Sequence, residues 1–157
     1  NEIIKSLAFC SGHTGIAGGQ ELDLKFENKK KSLKQIIVMQ KKKTGKLFNF
    51  CLYAVGVLAN KNNKDKFFLS SLGEDIGLLF QFADDFLDIM GSKKLVGKPI
   101  KKDNKKGKST LVSLMGYKKA HNYADNLKKK ILLKLRKHGK KAKDLTDTIE
   151  FILNRNF

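Results

Sequence analysis

The segment 76–91 constrains the fold most strongly, because it combines helical spacing with an unusually apolar composition. Large apolar residues surround the expected helix on nearly every side: Ile76, Leu78, Leu79, Phe80, Phe82, Phe86, Leu87, Ile89 and Met90. A helix that is apolar around most of its circumference is buried among other elements. The segment therefore predicts a central helix of a helical bundle.

The same helix carries a polar stripe. Positions i, i+4, i+7 and i+11 of one helical face are occupied by Gly77, Gln81, Asp84 and Asp88. Buried carboxylates need cationic partners, because an unpaired buried charge is very costly. Gly91 reads as the residue just past the helix end, so these aspartates oppose the helix dipole at about 0.3–1 kcal/mol each. The pattern indicates a cation-binding site, and the alternative is a solvated acidic face on an ordinary amphipathic helix.

The rest of the sequence predicts an all-α fold. The one proline is Pro99, and no run alternates in the manner of a β-strand. Five helices are expected: from residue 2 into the glycine-rich segment 12–20, from a Ser32 N-cap to residue 60, and over 65–90, 109–138 and 144–154. An irregularity is expected at 43–45 and a lysine-rich loop at 91–108. At 157 residues, the chain suits a single domain, residues 1–157.

The net charge of +18 arises from 33 basic and 15 acidic residues, of which only Arg136 and Arg155 are arginines. Such a charge suits nucleic acid or an anionic membrane. The lysines are scattered, however, and nucleic-acid modules usually use arginine on bases and phosphates. Genome bias toward A/T-rich codons is another explanation of the lysine content. We expect no nucleic-acid partner.

Other features suit a cytoplasmic protein. Cys10 and Cys51 lie far apart without a pairing pattern, as free thiols in a reducing compartment do, and the histidines lack metal-ligand spacing. No targeting signal is visible. The most apolar stretch, 47–59, contains Asn49 and is too short to span a membrane, so no stable membrane insertion is expected. The sequence begins at Asn1 inside an apolar helical pattern, which suggests a piece of a longer chain.

Three clusters suit a polyphosphate ligand. Asp84, Asp85 and Asp88 offer hard oxygen donors for Mg²⁺, which commonly bridges carboxylates and phosphates. The Lys-Thr-Gly segment 43–45 offers an ammonium and a hydroxyl where glycine loosens the helix. The lysine-rich segment 97–110 follows the aspartate helix. Metal and cations around a leaving diphosphate form an electrostatic catalyst.

In their order, these motifs resemble those of the trans-polyprenyl diphosphate synthases, especially bacterial-type farnesyl and geranylgeranyl diphosphate synthases. The segment Phe80-Gln81-x-x-Asp84-Asp85-x-x-Asp88 resembles the second aspartate-rich motif of that family. Residues 15–24 resemble its Gly-Gly-Gln-x-x-Asp-Leu segment, 43–45 its Lys-Thr-Gly, and 97–110 its Gly-Lys…Asp…Gly-Lys-x-Thr loop.

The resemblance implies an isoprenoid synthase-type helical bundle, of which this chain is the C-terminal half. It implies a prenyltransferase that condenses an allylic diphosphate with isopentenyl diphosphate to a longer trans-prenyl diphosphate, with Mg²⁺ bound beside the substrate diphosphate. The implied catalytic residues are Lys43, Thr44, Gln81 and Asp84. The implied diphosphate-binding residues are Lys43, Lys98 and Lys108, and the implied metal ligands are Asp84, Asp85 and Asp88. The implied supporting residues are Gln20, Asp23 and Asp103.

The first aspartate-rich motif and the isopentenyl diphosphate site of the family are absent from this sequence. The resemblance therefore implies that the chain alone makes no product, and that the full-length protein is a homodimer. Gly77 is open to two interpretations, which are room for the isoprenoid tail or close helix packing. The competing functions are a terpene cyclase-like enzyme, a non-catalytic or regulatory subunit of a heteromeric synthase, and a basic nucleic-acid-binding bundle.

Overall fold

The computed structural model describes residues 1–96 and 110–154, which form a bundle of α-helices. The helices are α1 (Glu2–Ser11), α2 (Ile16–Phe26), α3 (Leu33–Gln40), α4 (Lys46–Leu58), α5 (Asn63–Val96), α6 (Leu111–Met115), α7 (Tyr117–Arg136) and α8 (Lys143–Asn154). A π-helical turn, Lys41–Gly45, joins α3 to α4, and a 3₁₀ turn, Gly139–Ala142, precedes α8. The described residues contain no β-strand, which confirms the all-α prediction. None of the described helices is long and apolar enough to cross a membrane.

The longest helix, α5, is central to the bundle, as its apolar circumference predicts. It packs along α4 and also contacts α7, α8 and the π turn. Its residues Leu72, Leu79 and Phe82 have no exposed surface, and neither do Ile131 of α7 and Ile149 of α8. Burial of each such side chain stabilises the fold by about 1.5–3 kcal/mol. This packing fixes the position of the aspartate helix relative to its neighbours.

Glycines allow the backbone of the π turn to pack directly against the backbones of α2 and α5. A Cβ added to Gly77 of α5 would lie 2.8 Å from the Cα of Gly45. One added to Gly19 of α2 would lie 2.3 Å from the backbone nitrogen of Lys43. Both distances are far below ordinary van der Waals contact, which is about 3.5–4.0 Å between carbons. Of the two interpretations of Gly77, the structure therefore supports close helix packing.

Two local predictions are confirmed. Ser32 caps α3, since its hydroxyl accepts from the backbone N–H of Gln35 at 3.3 Å and the Gln35 side chain accepts from the Ser32 N–H at 3.0 Å. The irregularity expected at 43–45 is the π turn, in which the helix widens locally.

Three predicted helix boundaries are wrong. Helix α5 runs through Gly91 to Val96 instead of ending at residue 90, because glycine permits a left-handed cap without imposing one. The helix predicted over 109–138 is divided at Gly116, whose φ of 76° is left-handed. The first helix ends at Ser11, and most of the glycine-rich segment belongs to α2. The part of the predicted loop beyond Val96, residues 97–108, lies outside the described residues.

Candidate active site

The π turn, Lys41–Gly45, lies at the meeting point of α2, α4 and α5. The two glycine contacts described above hold it there, because Gly19 meets Lys43 and Gly77 meets Gly45. A π turn is costly to keep and occurs frequently at functional sites. It places Lys43 and Thr44 between the helix that carries Asp23 and the helix that carries the aspartates.

Asp23 of α2 orients the side chain of Lys43. The Nζ atom of Lys43 lies 2.7 Å from Oδ2 of Asp23, and Asp23 is only 8% exposed. Because Asp23 follows Gly19 by one helical turn, the face of α2 that admits the π turn also anchors its lysine. The remaining N–H groups of the ammonium can donate to an anionic ligand. Gln20, which the sequence predicts beside Asp23, is exposed.

A chain of hydrogen bonds joins the π turn to α5 and then to α6. The hydroxyl of Thr44 donates to Oε1 of Gln81 at 3.2 Å. Nε2 of Gln81 donates to Oδ1 of Asp85 at 3.1 Å, and the backbone N–H of Leu111 donates to Oδ2 of Asp85 at 2.9 Å. The chain thus connects two predicted catalytic residues to the first residue of α6.

Asp85 is buried, with 5% of its surface exposed. Burial raises the pKa of its carboxyl above the usual range, and the nearby charge of Asp88 raises this pKa further. Hydrogen bonds from Gln81 and from the backbone of Leu111 and Val112 oppose the rise. Both carboxylate oxygens are therefore engaged by donors of the protein itself.

The other two aspartates of the motif differ from Asp85 in exposure. Asp84 is half-buried and Asp88 is exposed, and their spacing places them on one face of α5. Within residues 1–96 and 110–154, no three His, Cys, Asp or Glu side chains are grouped so that they could hold a metal ion by themselves. The predicted ligand set is thus divided, and Asp85 does not share the environment of its neighbours. The other predicted site residues lie outside the described residues: Lys98, Asp103 and Lys108.

Sequence reasoning missed a polar cluster next to the π turn. Lys46 Nζ lies 2.6 Å from Oε1 of Glu74, and Asn49 donates to the same oxygen at 3.0 Å and to the Ser70 hydroxyl at 2.8 Å. The one signal available was Asn49, a polar residue inside the most apolar stretch of the chain. Buried polar groups require partners, and this cluster supplies them at the α4–α5 contact.

Comparison with known proteins matches a sequence model of the polyprenyl synthetase family to residues 4–151. Farnesyl diphosphate synthase of Bacillus subtilis is 33% identical over 123 residues, which cover 78% of this chain and 42% of that protein. An FPP/GFPP synthase structure from Zymomonas mobilis has a TM-score of 0.82 and 34% identity, covering 96% of this chain and 50% of that one. A Helicobacter pylori geranyltransferase, complexed with magnesium and isoprenyl diphosphate, has a TM-score of 0.77 and 31% identity, covering 98% and 50%. The chain spans about half the length of these relatives.

Proposed function

The chain belongs to the polyprenyl synthetase family, and from this premise we propose that it forms the diphosphate-releasing half of a prenyl-chain-elongating active site. The observation that carries the proposal is the hydrogen bond between Thr44 and Gln81. It joins the Lys-Thr-Gly segment to the aspartate helix, although these residues are 37 positions apart in the sequence. Two segments that each carry little information alone thereby become one site.

The proposed reaction condenses an allylic diphosphate with isopentenyl diphosphate. The allylic C–O bond breaks, and its electron pair leaves with the diphosphate. The double bond of isopentenyl diphosphate attacks the allylic carbon, and loss of a proton to the departing diphosphate restores a double bond. Lys43, anchored by Asp23 at 2.7 Å, would bind diphosphate oxygens. Thr44 and Gln81 would place oxygen atoms against the developing positive charge, which is the electrostatic form of catalysis.

The donor set on α5 fits Mg²⁺. Asp84 and Asp88 offer hard carboxylate oxygens on one helical face, and Mg²⁺ is usually bound by one or two carboxylates together with waters and substrate phosphates. When bound, the ion supplies neutralisation of the charge on the leaving diphosphate. We assign Lys98 and Lys108 to the same diphosphate, and Asp103 to the support of those lysines.

We propose that the complete enzyme needs a second polypeptide segment, which carries the facing aspartate motif and the isopentenyl diphosphate site. Exposed apolar side chains on adjacent helices support this proposal: Ile4 of α1 is 69% exposed, Leu58 of α4 72% and Phe67 of α5 70%. Exposed apolar surface of this kind is typical of protein contacts. We further propose that the complete enzyme is a cytoplasmic homodimer.

A thermal-shift assay with inorganic pyrophosphate and MgCl₂ tests the site on this chain. The two ligands together should raise the Tm clearly more than either alone, because each neutralises the repulsion of the other by the site. The variant Asp84→Ala should lose this joint response. The matched control, Asp125→Ala, removes a carboxylate from α7 whose Oδ2 lies 3.1 Å from Nδ1 of His121, and this variant should keep the response. An unchanged response in Asp84→Ala would refute the site.

A further inference from the structure

We propose that Asp85 is a positioning residue that sets the direction of the hydrogen-bond chain through Gln81 to Thr44. In that direction, Thr44 and Gln81 meet the substrate as hydrogen-bond acceptors. This role rests on the proposed function, and it differs from metal ligation. It follows from which atoms can donate and which can only accept.

The direction of the chain starts at Asp85. An ionised carboxylate can only accept hydrogen bonds, and the N–H of Leu111 can only donate one. Leu111 occupies Oδ2 at 2.9 Å, so Oδ1 remains to accept from the side chain of Gln81 at 3.1 Å. Gln81 must therefore turn its NH₂ group toward Asp85. Its amide cannot flip without bringing two acceptors together inside the fold.

The fixed amide of Gln81 then determines the orientation of the Thr44 hydroxyl. With its NH₂ group toward Asp85, Gln81 presents Oε1 to Thr44, and the single hydroxyl proton is donated to that oxygen at 3.2 Å. The Thr44 oxygen has no second proton, so it can approach a ligand only through its lone pairs. Lone pairs stabilise positive charge that develops on an allylic carbon, whereas an O–H directed at that carbon would oppose it.

The burial of Asp85 supports a functional reason for its charge. The carboxyl is 5% exposed, and burial raises its pKa, which means that the fold disfavours the charged form. A neutral amide of the same shape would also accept from Leu111 and would avoid this penalty, although a carboxylate accepts more strongly. The feature that only the carboxylate supplies is a second oxygen that must accept, and this oxygen fixes the direction of the Gln81 amide.

The variant Asp85→Asn reverses the chain while keeping its shape. The new amide oxygen is required by the Leu111 N–H, so the new NH₂ group faces Gln81 and forces the Gln81 amide to flip. Thr44 then accepts from Gln81, and its proton points away toward the substrate. The hydrogen bonds that join Leu111, residue 85, Gln81 and Thr44 persist, so we expect a Tm close to that of the wild type and an unchanged joint response to Mg²⁺ and pyrophosphate.

Kinetics of the whole protein that carries this chain should show a specific loss. In Asp85→Asn we expect kcat to fall about 10- to 100-fold with an unchanged KM for the allylic diphosphate. A diphosphate analogue with an ammonium nitrogen in place of the cationic carbon should bind more weakly by a similar factor. The double variant Asp85→Asn/Gln81→Glu should recover most of the kcat, because the new carboxylate accepts from both sides and restores the Thr44 donation. The matched control Asp75→Asn, on the same helix but paired with Lys134, should keep the wild-type kcat.

The outcomes separate this inference from the proposed function. If Asp84→Ala abolishes turnover while Asp85→Asn retains the full kcat, the positioning role is refuted and the function stands. If Asp85→Asn lowers the Tm, raises the KM and lowers the kcat together, and the double variant restores none of these values, Asp85 is only structural and the inference is again refuted. If the whole wild-type protein forms no prenyl product, the proposed function itself is refuted.

Discussion

Replacing Gly19 by alanine should destabilise the chain, although alanine is the better helix former. An added Cβ would lie 2.3 Å from the backbone nitrogen of Lys43 and 2.5 Å from its Cα. Ordinary contact is about 3.5–4.0 Å, so α2 and the π turn would have to separate by more than about 1 Å. The obstructing atoms are backbone and cannot move by changing a rotamer. The substitution should therefore displace Lys43 from its bond with Asp23.

The magnitude follows from two opposing effects. Alanine gains about 1 kcal/mol over glycine inside a helix, whereas overpacking costs about 1–3 kcal/mol or more when backbone is displaced. We expect a net loss of about 1–2 kcal/mol, which lowers the Tm by about 2–8 °C for a chain of this size. The joint response to Mg²⁺ and pyrophosphate should also weaken, because Lys43 has moved.

Gly45→Ala provides the control within the same turn. Its added Cβ would have no neighbour nearer than 3.7 Å, so the helix-propensity gain should remain and the Tm should stay equal or rise. Thermal unfolding of the two variants beside the wild type gives the comparison. Equal Tm values for Gly19→Ala and Gly45→Ala would show that the backbone contact between α2 and the π turn does not exist in solution.

Two further predictions concern the thiols and the isolated chain. Cys51 is exposed, whereas Cys10 is buried and burial raises the pKa of its thiol. Iodoacetamide should therefore label Cys51 at least tenfold faster than Cys10 in the folded chain. Equal labelling rates would contradict the packing of α1, and the urea-unfolded chain is the control. The isolated 157-residue chain should form no geranyl or farnesyl diphosphate from dimethylallyl and isopentenyl diphosphates with Mg²⁺, because one acidic helix cannot neutralise the leaving diphosphate alone. Detectable product, against a full-length family member as positive control, would show that the facing motif is not required.

The sequence predicted those features of the fold that depend on residues close together in the chain. The apolar circumference of α5 predicted its burial, and Ser32 as an N-cap predicted the start of α3. The predicted end of α5 at residue 90 was wrong because a glycine allows a helix to end without requiring it, and tertiary packing decides which occurs. Gly116 has a left-handed φ, but the residues that flank it in the sequence do not distinguish it from a glycine inside a helix.

The sequence predicted which residues form the candidate site, but it did not predict the contacts between them. We expected Asp85 to bind metal together with Asp84 and Asp88, and its buried environment is seen only in the structure. Its partner was not predicted, because Leu111 lies 26 residues later in the chain. The same holds for the pairing of Lys43 with Asp23, across 20 residues. Such pairs depend on how helices pack, which single-sequence patterns do not encode.

The π turn makes the length of this region more important than its composition. The turn holds five residues where a regular α-helical turn needs four, so deleting one codon within Lys41–Gly45 would join α3 to α4 as one continuous α-helix and leave their relative orientation nearly unchanged. Ile36 and Met39 would stay buried against the bundle. The local widening that places Lys43 and Thr44 between α2 and α5 would be lost, so a one-residue deletion should spare the fold and remove the site.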